Sequence, residues 1–539
     1  VGKHSTKQTN TILHSIETPS NGVGSLGRHP DLPGGEVPLK PWYYNSTFKQ
    51  LIDHKNPQLG TFDQVYFYDT TYWKGLGSPV VFFTPGEVNA TRYARYLTPD
   101  YTTGHLAERI GAATIVLEHR YWGNSTPFTA LSTANLTYLT LENSIRDVTR
   151  FARQVQLPFA PQGGSHAQDV PWVMMGVSYS GALTAAIARI DPGTFWAYAA
   201  SSAPVQAVSD FWPYYLPIQH GMPRNCSKDV SLVIDHMDDI LMHGSTEEQQ
   251  SLKTRFGMQD VEHNDDFMAV LALGPWSWQD TQFYNDTGFW KWCDYIENAV
   301  NVTIKNTTIP GPEGVGLEKA LDGYATWWKA VKLPDFCSST FKHSGFNTTN
   351  NTRCYDTYNA SSPLFTDTSL ANQVNRQWIW MTCNEPFGYW PNGSPRGRPL
   401  LVSRLITTEY ALRQCGLWFP PGPNGETYGL AAGRTEADVN AFTGGWSNIN
   451  TSRLIFMNGE FDPWREASVS ADAEFRPGGP LQSTPQVPVE IVPGGFHGSD
   501  MRIQNGIVNE RVKEVQERIV KQLEDWVNEW PKKTKDHYS

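Results

Sequence analysis

Three residues far apart along the chain have the types and settings of an acyl-transfer centre. Ser178 lies in Gly176-Val177-Ser178-Tyr179-Ser180-Gly181, behind the apolar run Pro171-Trp172-Val173-Met174-Met175 and ahead of the helix formers Ala182 to Ala188. A strand, a tight turn carrying Ser between small residues, and then a helix is the layout of a nucleophile elbow. Strand and helix pass so close there that bulky side chains two positions before or after the Ser would collide. The turn pushes the hydroxyl outward and aims the first amides of the helix at the same point, where an oxyanion would form. The pattern alone is weak, because Gly163-Gly164-Ser165-His166-Ala167 repeats it. That copy sits in a polar stretch with no strand before it and reads as a loop. Ser180 is a rival within the elbow itself, but it lacks the preceding Gly and would sit one turn too late.

A Ser hydroxyl is a poor nucleophile until a base takes its proton, and the base needs an anion to orient it. On this layout the order along the chain is Ser, acid, His, with the partners just after sheet strands. Leu454-Ile455-Phe456-Met457 is an apolar strand followed by the loop Asn458-Gly459-Glu460-Phe461-Asp462-Pro463-Trp464. Val489-Glu490-Ile491-Val492 is another, followed by Pro493-Gly494-Gly495-Phe496-His497-Gly498-Ser499-Asp500. Beyond Asp462 the only other His is His537, in a charged tail. Taken singly, Asp462 reads as an exposed loop carboxylate and His497 as a surface or capping His. Their order and strand settings turn the pair, with Ser178, into a candidate triad. Glu460 and Asp500 are the alternative acids.

The elements that must position these residues alternate. Val80-Val81-Phe82-Phe83 and Thr114-Ile115-Val116-Leu117 read as buried strands. Residues 91–110 read as helix, and Ile145, Val148, Phe151 and Val155 mark one face of another. This βαβ repetition predicts a parallel sheet with helices on both faces. The pattern breaks near residue 206, and from there to about 440 helical stretches recur without comparable buried strands. All six Cys and eight of the thirteen Asn-x-Ser/Thr sites fall in that segment. The expected organisation is an N-terminal arm over 1–40, a first part of the sheet domain over 41–205, a helical, disulfide-stapled cap over 206–439, and the rest of the sheet domain over 440–539. An insertion at that place would overhang the edge of the sheet where the triad sits and control access to it. Ile507, Val508, Val512, Val515, Ile519, Leu523, Trp526 and Val527, at helical spacing, mark the packing face of a terminal helix.

Composition narrows the function classes. The net charge is −11, and no basic cluster precedes Lys532-Lys533-Thr534-Lys535, which argues against a nucleic-acid partner. No apolar run is long enough to span a membrane, and no Cys-x-x-Cys suggests a zinc or redox centre, so neither metal nor cofactor is expected. The oligomeric state is left open. The start, Val1-Gly2-Lys3-His4, has no apolar segment and reads as a processed form. Candidate glycosylation acceptors are Asn45, Asn89, Asn124, Asn135, Asn225, Asn285, Asn301, Asn306, Asn347, Asn350, Asn359, Asn392 and Asn450, against roughly five by chance. With six Cys, an even count, they point to an oxidising, secretory route. Of the fifteen possible pairings, loop length favours Cys337–Cys354, then Cys226–Cys293 and Cys383–Cys415.

Several segments also carry a family resemblance. They are Phe83-Thr84-Pro85-Gly86-Glu87, Glu118-His119-Arg120-Tyr121-Trp122-Gly123, the elbow with Tyr179 after its Ser, Arg376-Gln377-Trp378 through Thr382-Cys383-Asn384-Glu385, Asn458 through Trp464, and Gly494-Gly495-Phe496-His497. From about residue 41 to 530 the chain resembles the serine peptidases typified by lysosomal Pro-X carboxypeptidase and dipeptidyl peptidase II. It is most similar to their secreted fungal members, the acid prolyl endoproteases. The resemblance implies an α/β-hydrolase fold with a helical cap, and cleavage on the carboxyl side of proline in peptides or proteins at acid pH. The setting would be extracellular or an acidic, lysosome- or vacuole-like compartment. It places the nucleophile at Ser178, the acid at Asp462 and the base at His497. The oxyanion donors would be the backbone N–H groups of Tyr179 and Gly86, and Trp464 would help wall a proline pocket. Fungal relatives often have Cys where this chain has Gly498. Glu87 and Glu385 are candidates for contacting a substrate amine or sharing a proton, or else structural carboxylates paired with Arg. Acid work sets a demand on the base. An imidazole of ordinary pKa, about 6.5, is protonated in acid, so either burial disfavours the cation or a protonated Glu87 or Glu385 makes acid necessary.

Two other functions fit the same sequence. An esterase or lipase would use the same fold and triad, since fold does not fix substrate; so would a carboxypeptidase or dipeptidyl peptidase mode of proline-specific cleavage. A binding protein on this scaffold would be expected to lack a triad member, and all three candidates are present.

Overall fold

Eight strands form the central sheet of the computed structural model. It describes residues 43–299, 310–340, 346, 348–372, 374–447 and 451–531. The arm expected over 1–40 and the acceptors Asn301, Asn306, Asn347 and Asn450 lie outside the described residues. In chain order the strands are β1 (Tyr44–Leu51), β2 (Thr61–Asp69), β3 (Val80–Phe83), β4 (Ala113–Leu117), β5 (Trp172–Val177) and β6 (Ala197–Ser201). A separate short pair, β7 (Val208–Asp210) with β8 (Gly388–Trp390), follows, and β9 (Leu454–Gly459) and β10 (Val489–Val492) complete the sheet. The spatial order is β1-β2-β4-β3-β5-β6-β9-β10. β1 and β2 pair antiparallel, as do β2 and β4, and the remaining neighbours are parallel. This is an α/β-hydrolase sheet.

Successive residues of the central strands enter opposite layers, as strand geometry demands. Val80, Phe82, Ile115 and Met174 join one core; Val81, Phe83, Val116, Val173 and Met175 join the other. The second layer is closed by the helix Thr102–Ile110 and the terminal helix Glu510–Asn528, which buries Val512, Val515, Ile519, Leu523 and Trp526. The first layer is larger. It takes Ile145, Val148 and Phe151 from the helix Leu141–Gln154, and continues without a break into Trp278, Trp292 and Trp328 of the segment between β6 and β9. That segment therefore shares a core with the sheet. Its helices include Arg224–His243, Leu317–Trp327, Arg376–Asn384 and Thr408–Trp418. Disulfides Cys226–Cys293, Cys337–Cys354 and Cys383–Cys415 close within it.

Four local features differ from the sequence reading. Ile507 and Val508, expected on the packing face of the terminal helix, are exposed and belong to a separate short helix, Ile503–Val508, which extended Asn509 divides from Glu510–Asn528. The β1–β2 hairpin was not expected. The helix expected over 91–110 is two pieces, a 3-10 stretch Ala90–Leu97 and the helix Thr102–Ile110. Pro99 causes the break: the residue before a proline is driven out of the helical region, and Thr98 is extended at φ −99° and ψ 156°. The inserted segment also contains β7 and β8. Gly388 permits their contact, since a Cβ there would lie 2.4 Å from the Val208 carbonyl oxygen.

Candidate active site

Ser178 directly follows β5 and precedes the elbow helix Tyr179–Ile190. Its backbone is at φ 62° and ψ −133°, a conformation costly for a residue with a side chain. The small neighbours have the expected cause. A Cβ on Gly176 would lie 2.2 Å from the Ser180 carbonyl oxygen, and one on Gly181 would lie 2.6 Å from the Ser201 carbonyl oxygen. The turn is held from β6, where the Ser201 carbonyl accepts the Ser178 N–H at 3.0 Å. Ser180 is no rival, because its hydroxyl is buried and donates to the Thr84 carbonyl. Ser165 lies in a loop, as read.

The structure brings Asp462 and His497 together. Asp462 follows β9 and His497 follows β10. The His497 Nδ1 and Asp462 Oδ1 are 2.9 Å apart, and both side chains are fully buried. The same carboxyl oxygen accepts the Trp464 N–H at 3.0 Å. Burial pushes the Asp462 carboxyl up, but the His497 ring, the Ser202 hydroxyl and the Trp464 amide outweigh it and hold the acid below its ordinary value. The other ring nitrogen, Nε2, is buried with no hydrogen-bond partner among the described residues. An imidazole whose Nδ1–H is committed to a carboxylate presents a bare Nε2, the form a general base requires.

The three loops are tied to one another. Gly498 donates its N–H to Ser202 Oγ at 2.8 Å, and a Cβ on Gly498 would lie 3.1 Å from Val177 Cγ2. The His loop thus rests on the last strand residue before Ser178. Gly498 has φ +62°, where glycine is the least strained residue. On the other side of the elbow, a Cβ on Gly86 would lie 3.1 Å from Tyr179 Cδ1 and 3.6 Å from the Ser180 nitrogen. Gly86 therefore abuts the first turn of the elbow helix, whose amides have no acceptors inside the helix.

The alternative acids are placed elsewhere. Glu460 accepts the Gly494 N–H at 2.7 Å and serves the loop. Asp500 is fully buried and accepts the Ser201 hydroxyl at 2.6 Å. Burial is the main reason its carboxyl is pushed up to about 6, and Asp462 adds to it.

Trp464 is 1% exposed. It stacks on Phe211 at 5.6 Å, meets Tyr389 edge-on at 5.3 Å, and has its centroid 6.4 Å from that of His497. Its indole N–H donates to Gln279 Oε1 at 2.9 Å. Glu87 is also buried, and neither of its oxygens has a partner among the described residues; burial pushes its carboxyl well up. Glu385 is a correction to the substrate-binding candidates. It accepts the Leu141 N–H at 3.1 Å and pairs with Arg434 at 3.0 Å, so it is a structural carboxylate that caps a helix. Asn392 is a second correction. Its amide is buried and donates to Asp210 at 2.8 Å and to Thr408 at 2.7 Å, leaving no room for a glycan. Asn45, Asn89, Asn124, Asn350 and Asn359 are exposed.

Sequence reasoning missed the residues that hold these loops from the inserted segment. Trp278 donates its indole N–H to the Phe461 carbonyl at 2.8 Å, and Gln282 donates to the His497 carbonyl at 3.0 Å. The insertion therefore buttresses the acid and base loops as well as lying against the sheet.

Comparison with known proteins follows the same lines. The model of the family described as serine carboxypeptidase S28 matches residues 50–502. The serine protease vicPb of Bipolaris victoriae (strain FI3) is 43% identical over 481 residues, covering 89% of this chain and 88% of that protein. A probable extracellular serine carboxypeptidase of Arthroderma benhamiae is 26% identical over 493 residues, covering 86% of this chain and 64% of that one. Among solved structures, a proline iminopeptidase of Mycobacterium smegmatis aligns over 90% of this chain and 99% of its own with 10% identity and a TM-score of 0.33, too loose to add to the topology above. No described helix is long and apolar enough to cross a membrane.

Proposed function

The chain belongs to the S28 family of serine peptidases, and from that premise we propose that it hydrolyses peptide bonds on the carboxyl side of proline, in acid, through Ser178, His497 and Asp462. The observation that carries this reading is the buried His497–Asp462 pair, whose Nε2 has no partner among the described residues, with the His497 loop bonded to Ser202, next in sequence to the Ser201 carbonyl that accepts the Ser178 N–H. In the first half-reaction His497 Nε2 takes the Ser178 proton as the oxygen attacks the proline carbonyl. The tetrahedral oxyanion is met by the N–H groups of Tyr179 and Gly86. The imidazolium then gives its proton to the leaving amine, and an acyl-enzyme remains on Ser178. Water, activated by the same imidazole, releases the acid product.

Proline specificity has a physical basis. The residue before the cleaved bond carries a rigid ring with no N–H, so an aromatic wall can select it by shape and apolar contact. Tyr179 lies among Trp378 and Phe387, at 5.2 and 6.0 Å, and Trp464 backs Tyr389. This ring cluster supports a proline slot, with Trp464 as its buried rear. Glu87, next to Gly86 and with no partner for its carboxyl among the described residues, would meet a substrate amine or share a proton. The inserted segment would act as the cap over this slot. Glycosylation at the exposed acceptors and an extracellular setting complete the reading; the Arthroderma relative carries "extracellular" in its description.

Digestion of a long proline-rich protein, with the new termini sequenced, tests the substrate. Cleavage after proline at internal positions supports the endo mode, and loss of single terminal residues or N-terminal dipeptides the exo modes. Faster turnover of a simple acyl ester than of any proline peptide would favour the esterase alternative.

A further inference from the structure

The run Glu118-His119-Arg120-Tyr121-Trp122-Gly123 takes no part in the triad, yet it follows β4 directly and its side chains are buried. Its first two side chains reach the two loops that would carry the oxyanion donors. Glu118 accepts the Ala90 N–H at 3.0 Å with one oxygen, and the Asn124 N–H and Ser125 hydroxyl with the other, at 2.9 and 2.8 Å. Ala90 lies just beyond the turn that contains Gly86. Gly123 makes room for this, since a Cβ there would lie 2.0 Å from Glu118 Oε2. His119 goes the other way. Its Nδ1 faces the Arg120 carbonyl at 2.9 Å and its Nε2 faces the Tyr179 hydroxyl at 3.1 Å. A carbonyl only accepts, so Nδ1 carries the proton, Nε2 is bare, and the Tyr179 phenol donates to it.

Tyr179 thus links three features of the site. Its backbone N–H opens the elbow helix, its ring edge is the surface on which Gly86 rests, and its phenol meets His119 Nε2 with the Ser144 hydroxyl also beside it. We propose that Glu118 and His119 are positioning residues for the oxyanion hole, with Glu118 fixing the Gly86 turn through Ala90 and His119 fixing Tyr179 through its phenol. This rests on the reading of Ser178 as the nucleophile. It assigns a role to two residues that touch neither substrate nor the triad. Trp122, packed edge-on against the imidazole at 4.9 Å, holds the ring plane.

The bond has to survive in acid for such an enzyme to work there. Burial holds the His119 imidazole down to about 4, so Nε2 stays an acceptor above about pH 4. The charged groups beside it are Arg120 and Asp147, which pair with each other at 2.6 Å; Glu87 and Glu385 lie near enough to Tyr179 to act on its phenol electrostatically.

Removing one oxyanion donor outright costs about 10²- to 10³-fold in turnover. Loosening a donor that stays present costs less, on the order of 10-fold. The test compares Tyr179→Phe, which loses only a hydroxyl, with His119→Leu and His119→Gln, the last keeping an acceptor near the Nε2 position. On a proline peptide, Tyr179→Phe and His119→Leu are expected to lower kcat by about 10-fold with KM within twofold. Both should weaken a peptidyl trifluoromethyl ketone by the same factor, because that inhibitor forms a tetrahedral adduct, while the inhibition constant of a proline-ended product peptide stays put. His119→Gln should recover most of the loss. An unchanged kcat in Tyr179→Phe, or equal weakening of adduct and product binding, overturns the proposal. If His119→Leu fails to fold, Tyr179→Phe alone decides. Fluorophosphonate labelling of the parent separates the two levels: absence of label on Ser178 would remove the nucleophile reading itself, whereas label on Ser178 with an indifferent Tyr179→Phe removes only the positioning role.

Discussion

Asp500→Asn should make the fold less sensitive to rising pH. Asp500 is fully buried, with one oxygen on the Ser201 hydroxyl and the other without a partner among the described residues. Burial first, and the neighbouring Asp462 second, push its carboxyl from 3.8 up to about 6. A raised carboxyl pKa means that the folded chain holds a proton the unfolded chain releases. Its stabilising contribution is complete below about pH 4 and is lost as the pH climbs through about 6. Two pKa units correspond to roughly 3 kcal/mol. At about 2.1 cal/mol/K per residue, unfolding of 539 residues carries an entropy near 1.1 kcal/mol/K, so the expected shift is about 2–3 °C. Asn is shaped like the neutral acid and cannot ionise. The variant should therefore melt near the parent at pH 4 and about 2–3 °C above it at pH 7.5. Thermal melts of both proteins at half-unit steps measure this. A Tm difference that is the same at every pH, or a parent that gains on the variant as pH rises, would refute the assignment of a neutral Asp500. Asp266 and Glu466, pushed up mainly by burial to about 6 and about 7, lean the same way, so the parent itself should be more stable at pH 5 than at pH 7.5. Asp462 and Asp147, held low by His497 and by Arg120 against the effect of burial, oppose this only once the pH falls below the ordinary carboxylate range.

Asp462→Asn and His497→Ala should each lower kcat by about 10⁴-fold, and adding Ser178→Ala should cost little more, since the three would act as a unit; near-parent turnover in Asp462→Asn would reassign the acid. Trp464→Ala should penalise proline peptides more than alanine peptides in kcat/KM, and equal losses would make Trp464 structural only. Glu87→Gln should move the alkaline limb of kcat/KM against pH if a protonated carboxyl is needed for binding, and an unchanged limb would end that role.

Much of this was legible locally. The elbow is a short-range device, and Gly176 and Gly181 stand where the backbone approach requires them. Asp462 and His497 could be picked because each directly follows an apolar strand, though nothing local said that they would meet 2.9 Å apart. What escaped depends on long-range contact. Trp278 and Gln282 reach the acid and base loops across 183 and 215 residues of chain, and no spacing announces such a pair. Glu385 found Arg434, and Asn392 was buried within a motif that on an exposed loop would be an acceptor. The β1–β2 hairpin was missed because its first strand is half exposed, with Tyr44, Asn45 and Thr47 outward, so no apolar run marks it. Pro99 was visible in the sequence, but the apolar spacing around it masked the break it makes.

The central claim is that Ser178 is the nucleophile of a proline-directed peptidase. A fluorophosphonate carrying a proline next to the phosphorus, incubated with the protein at pH 5 and mapped by mass spectrometry, tests it most directly. The account predicts one labelled peptide with the adduct on Ser178, protected by a proline-ended product peptide and absent from Ser178→Ala. Label on Ser180 or Ser165, or labelling that persists in Ser178→Ala, would contradict it.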